Sequence, residues 1–148
     1  MAYIVDIGSL ASRTGERTVD IDGNNLGYVV SHRYFGLIDY FAQRNWSLTL
    51  TNLRSYKIEI EFEQFKLQKP TDGNCTDYLL LPTAEKLCNK QTGKKFLLNL
   101  TPSTNITFNF ISNEYSSTQG FWLKYRGNLS SNHIILFDCN VPTIAMLS

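Results

Sequence analysis

Residues 56–63 read Tyr56-Lys57-Ile58-Glu59-Ile60-Glu61-Phe62-Glu63, apolar and charged side chains alternating without a slip. A period of two fits a β-strand with one face in a core and the other in water. The pattern recurs at Trp46, Leu48 and Leu50, at Ile106, Phe108 and Phe110, and at Phe121, Leu123 and Tyr125. No segment carries a helical period. Short strands are expected at about 18–22, 26–31, 45–51, 55–65, 77–81, 95–100, 104–111, 120–126 and 133–137. Turn clusters such as Gly23-Asn24-Asn25, Pro70-Thr71-Asp72-Gly73-Asn74 and Pro102-Ser103 separate them. Eight or nine strands spaced this way predict an all-β fold, a two-sheet sandwich or a barrel, with the two-layer antiparallel, jelly-roll-like β-sandwich as the expectation. Residues 1–17 have no period and read as an irregular tail. Residues 18–127 form the domain, and 128–148 are a C-terminal extension or the start of a linker to a further domain.

The 148 residues suffice for one domain with a sizeable core, and aromatics at 13% can fill the space between two sheets. The formal net charge is +1, and no basic run exceeds Lys94-Lys95. That leaves nucleic acid and anionic membrane without an electrostatic footprint. No apolar run of about 18 residues is present, so no transmembrane segment is expected. Asp6, Arg13, Glu16 and Arg17 interrupt the start of the chain, so no signal peptide is expected in it.

Five Asn-x-Ser/Thr acceptors begin at Asn45, Asn74, Asn99, Asn105 and Asn128. With 13 Asn and 25 Ser plus Thr, composition alone would give about two, so the excess is mild. Asn45 and Ser47 alternate against Trp46 and Leu48, and Asn105 and Thr107 against Ile106 and Phe108. Both pairs should face water, as glycosylation requires. This favours a secreted protein or the ectodomain of a surface protein, with its leader outside this chain.

Of three cysteines, Cys75 and Cys88 have 12 residues between them. A bridge there would stabilise by about 3 kcal/mol. Cys139 would be left over, as a free thiol or bonded to a neighbour outside the chain.

The order of features from about residue 19 to residue 125 resembles the CUB domain, an extracellular β-sandwich. The opening Gly-x-Ile-x-Ser motif is matched by Gly27-Tyr28-Val29-Val30-Ser31. Trp46 begins a strand 15 residues later, as in the family. The strand motif ending Phe-x-x-Phe-x-Leu is matched by residues 58–67, closing on Phe62, Phe65 and Leu67. The third and fourth family cysteines flank an Asp-Tyr-Leu strand, matched by Cys75, Asp77-Tyr78-Leu79 and Cys88. The closing motifs are matched by Phe110-Ile111-Ser112-Asn113 and by Gly120-Phe121-Trp122-Leu123-Lys124-Tyr125. The resemblance implies a Cys75–Cys88 disulfide. It departs at the family's first disulfide, where Arg44 stands in place of a cysteine.

Many members of the family hold calcium on three carboxylates. Carried over by position, these become Gln68, Asp77 and Asn113, with Glu114 beside the last. Two charges are replaced by amides, and the spacing after Cys75 is one residue short. Hard cations need charged oxygen ligands, so no cofactor is expected and calcium would be weak at most.

Trp122 is the leading partner-binding candidate, because Trp122, Lys124 and Arg126 share the face opposite Phe121, Leu123 and Tyr125. Its competing explanation is cover by a neighbouring strand or the tail. The loop aromatics Tyr34, Phe35, Tyr40 and Phe41 should fold over the open end, with Tyr34 and Phe35 as further contact candidates. Glu59, Glu61 and Glu63 form an acidic stripe that is first of all a solvated face. His32 and His133 belong to no metal-spaced cluster, and no catalytic motif is present. The expected function is therefore a non-catalytic extracellular binding module for a protein partner. The alternative is a stand-alone secreted spermadhesin-like carbohydrate-binding domain. A third reading is an eight-stranded barrel around a small apolar ligand.

Overall fold

The computed structural model describes residues 3–8, 13–32, 35–36, 38–40, 42–54, 56–113 and 119–129. Ten strands form among them: β1 (Tyr3–Gly8), β2 (Thr14–Asp20), β3 (Leu26–His32), β4 (Arg44–Thr51), β5 (Tyr56–Lys66), β6 (Tyr78–Leu80), β7 (Lys86–Leu87), β8 (Lys95–Leu100), β9 (Ile106–Ser112) and β10 (Gly120–Leu129). They make two five-stranded sheets, ordered β1-β3-β10-β5-β8 and β2-β4-β9-β6-β7. The architecture is a two-layer sandwich, and two separate sheets replace the closed barrel of the third reading. The strand expected at 133–137 lies outside the described residues.

The start of the chain departs from the expected irregular tail. β1 adds in parallel to β3, and β2 adds in parallel to β4. The sheets are thus mixed, with parallel pairs at one edge and antiparallel pairs elsewhere. Among the seven residues of β2 only Val19 is buried. A strand that buries one side chain leaves no hydrophobic period to detect; backbone pairing with β4 supplies its order. Arg17 closes this edge by donating from Nε to the Asp6 carbonyl at 3.1 Å. Its ion pair with the Asp6 carboxylate, at 3.4 Å, is half-exposed and contributes little.

β5 follows its alternation as far as Phe62 and then bulges. Leu123 pairs with Phe62 while Trp122 pairs with Gln64, so Glu63 is the extra residue. The bulge turns Glu63 and Gln64 both outward and brings Phe62 and Phe65 to the same buried side, ring centroids 5.0 Å apart. It is the structural reason for the Phe-x-x-Phe spacing.

Between the layers lie Trp46, Phe62, Phe65, Phe108, Phe110, Phe121 and Tyr125, all essentially inaccessible to solvent. Phe110 is the hub. Its ring meets Tyr40 at 5.3 Å, Trp46 at 5.8 Å and Phe121 at 5.4 Å, each edge to face. Such contacts join the two sheets and add to what area burial alone contributes.

Cys75 and Cys88 are joined in a disulfide, their Cα atoms 5.8 Å apart. The bridge closes the β6–β7 hairpin. Next to it the Leu67 and Asn89 amides cross to the Asn89 and Gln68 carbonyls at 2.9 and 3.2 Å. Replacing both cysteines by Ser is expected to lower stability by about 3 kcal/mol, seen as a fall in the urea midpoint under non-reducing conditions. A loss under about 1 kcal/mol would mean that this loop keeps its shape in the unfolded chain without the bridge.

Candidate functional site

The outer face of the β3–β10 pair carries the first candidate. β10 buries Phe121, Leu123 and Tyr125 and turns Trp122, Lys124 and Arg126 outward. Trp122 is half-buried. Tyr28 of β3 meets it edge-on at 5.9 Å, and Phe35 from the following loop meets it at 5.7 Å. The structure thus brings Trp122, Lys124 and Phe35 together; Tyr34 and Phe41 lie outside the described residues. Tyr28 had not been singled out. Its signal was its alternation with Val29, which faces the core.

A buried polar chain positions this cluster. His32 is fully buried beneath Phe35, ring centroids 6.0 Å apart. A carbonyl can only accept, so the 2.9 Å contact between His32 Nε2 and the Ile38 oxygen places the proton on Nε2. His32 Nδ1 then accepts from the Ser31 hydroxyl at 2.7 Å. Ser31 Oγ in turn accepts the Phe121 amide at 3.2 Å. Burial pushes the His32 pKa down, outweighing the Ile38 carbonyl and the Asp39 charge, which favour protonation. The ring is neutral at pH 7 and works as a brace holding the loop beside Trp122.

The acidic stripe is balanced by cations. Glu61 stands opposite Lys124 and Glu59 opposite Arg126 in the β5–β10 register. On the other side Lys95 lies 3.9 Å from Glu61. The five sequon asparagines are all exposed. Asn74 ends an Asp-Gly hairpin turn, with Asp72 and Gly73 at φ 52° and 80°. Asn99 and Asn128 flank Lys57 in one row of the first sheet. His133 and Cys139 lie outside the described residues.

The second candidate is the loop end where the resemblance places calcium. Asp77 is fully buried there. Its Oδ2 accepts the Tyr40 hydroxyl at 2.8 Å, and its Oδ1 accepts the Asn113 amide at 2.8 Å. The Tyr40 oxygen accepts the Gln68 amide at 3.1 Å. The Asn113 side-chain nitrogen donates to the Thr76 carbonyl. Arg44 stands at the position of the absent family cysteine; its amide donates to Ser112 Oγ at 3.1 Å, and its guanidinium donates to the Ala42 carbonyl at 2.9 Å. Among the described residues no three His, Cys, Asp or Glu side chains gather to hold a metal. Glu114 lies outside them. Among the described residues the donors do not match what calcium needs: they offer one carboxylate, Asp77, with both oxygens already accepting hydrogens, and neutral amides elsewhere.

No protein-family model matches this chain, and no curated protein does. Solved structures do. The full extracellular region of zebrafish Gpr126/Adgrg6 matches at 20% identity and a TM-score of 0.61, over 81% of this chain and 15% of that one. The CUB1-EGF-CUB2 domains of human MASP-1/3 match at 18% identity and a TM-score of 0.60, over 76% of this chain and 41% of that one. The MASP-1 CUB2 domain, solved bound to Ca2+, matches at 20% identity and a TM-score of 0.57, over 70% of this chain and 93% of that one. This chain therefore spans less than half the length of the first two, and at these identities the likeness is one of fold. The fold, an all-β sandwich of two mixed sheets, is CUB-like.

Proposed function

We propose that this chain is a non-catalytic extracellular binding module that docks a protein partner on the outer face of β3 and β10. The observation that carries the reading is the half-exposed Trp122, set between Tyr28 and Phe35 and followed outward by Lys124 and Arg126. A rigid aromatic held in place by neighbours loses little entropy on binding, and Trp flanked by cations is typical of interface hot spots. The extracellular setting is supported by the Cys75–Cys88 disulfide and by five exposed sequons. On β10 the nearest sequon, Asn128, is six residues from Trp122, about 20 Å along the strand, so glycans there would start away from the cluster. The similar structures include an extracellular region and CUB modules of longer proteins, the setting in which such a domain acts.

The test is affinity capture from the native extracellular fluid with the wild-type domain, Trp122→Ala, and a control on the other sheet, Asn109→Ala. Trp122→Ala is expected to weaken the captured complex by at least about 30-fold, the mark of a hot spot of about 2 kcal/mol. The control should bind as wild type, and circular dichroism should be unchanged for both. Equal capture by wild type and Trp122→Ala would move the docking surface elsewhere. Glycan-array hits that vanish in Trp122→Ala would replace the protein partner by a carbohydrate.

A further inference from the structure

The partner surface leaves the loop end untouched: what joins these loops, where the described residues offer one carboxylate for an ion? Four separate segments meet at Asp77. They are the loop at Tyr40, the end of β5 at Gln68, the start of β6 at Thr76 and Asp77, and the end of β9 at Ser112 and Asn113. A chain of directional hydrogen bonds links them. The Gln68 amide donates to the Tyr40 oxygen, the Tyr40 hydroxyl donates to Asp77 Oδ2, and the Asn113 amide donates to Asp77 Oδ1. Bonds to an ionised acceptor are the stronger kind.

Charge counting points the same way. A divalent cation among three carboxylates leaves a net charge of −1. Among the described residues one carboxylate, Asp77, among neutral donors leaves the same. Exchanging two carboxylates for the amides of Gln68 and Asn113 while losing the ion is therefore neutral overall. We propose that the Tyr40–Asp77 pair replaces the calcium ion as the fastener of this end, making the domain's stability independent of calcium. This concerns how the loops are held and does not rest on the partner reading.

Three measurements decide it. For the wild-type chain, 5 mM CaCl2 and 5 mM EDTA should give melting temperatures within about 1 °C of each other, since a ligand that does not bind the native state cannot stabilise it. A rise of several degrees with calcium would overturn the proposal. In Tyr40→Phe, which keeps the ring against Phe110, hydrogen exchange at the Gln68 and Asn113 amides should accelerate by roughly tenfold or more while the β5 and β10 core amides stay protected. Unchanged exchange at both amides would show that the hydroxyl fastens nothing. Last, Gln68→Glu combined with Asn113→Asp restores two carboxylates. That variant should melt several degrees lower in EDTA and recover in calcium, because three carboxylates repel one another until an ion joins them. A variant indifferent to calcium would mean that the pair does not occupy an ion's place.

Discussion

Phe110→Ala is expected to destabilise the domain by about 3–5 kcal/mol, the largest effect of any single core truncation here. Phe110 is fully buried and contacts aromatic rings from three places: Tyr40 of the loop end, Trp46 of its own sheet and Phe121 of the facing sheet. Rigid rings cannot flow into the space a lost phenyl leaves, so most of the cavity would remain and its cost with it. Urea denaturation followed by fluorescence would read the loss as a lower midpoint at constant slope. Phe110→Leu, which keeps most of the volume, should cost less than half as much. If Ala cost under about 1 kcal/mol, the two sheets would not be held together through this ring.

The second large effect is expected at Gly120, the first residue of β10. Its φ is +99°, and a β-carbon built there would collide with Ser31 Oγ and lie 3.0 Å from His32 Cε1. Both of those groups are buried and hydrogen-bonded into the brace beneath Phe35, so neither can step aside. Gly120→Ala should therefore combine the cost of an unfavourable backbone, about 1–2 kcal/mol, with overpacking of about 1–3 kcal/mol. Gly93→Ala isolates the first of these: its φ is +91°, but nothing lies within 4 Å of the added carbon. The difference between the two variants in thermal or urea melts measures the packing part alone. Equal losses would mean that the Ser31–His32 pair yields to a methyl group. Because the brace seats Phe35 beside Trp122, Gly120→Ala should also disturb the proposed partner surface.

How legible each part was depended on what each strand buries. Strands β4, β5, β9 and β10 each bury every second residue over most of their length, so their period of two was plain. β1 and β2 were not, because an edge strand that buries one or two side chains has a polar pattern like that of a tail. The two-residue strand β7 is too short to carry any period. In the candidate surface, Trp122, Lys124 and Phe35 could be picked out by alternation and loop composition. Tyr28 joins them through strand pairing, which places residues about a hundred positions apart side by side. At the loop end Gln68, Asp77 and Asn113 were found by position as a depleted ligand set. Their connection through the Tyr40 hydroxyl was invisible, since nothing local in residues 38–43 says where a tyrosine oxygen will end.

Alone, the chain of residues determined that this is an all-β fold with an aromatic-rich interior, because side-chain alternation is a local property that water enforces strand by strand, whereas closure into a sandwich or a barrel is not. The folded structure decided which strands are neighbours, that the first two add in parallel, that Glu63 bulges, and that Tyr40, Gln68 and Asn113 close around Asp77. Those outcomes depend on contacts between residues far apart in the chain, and long-range contacts leave no periodic trace in the segments that make them.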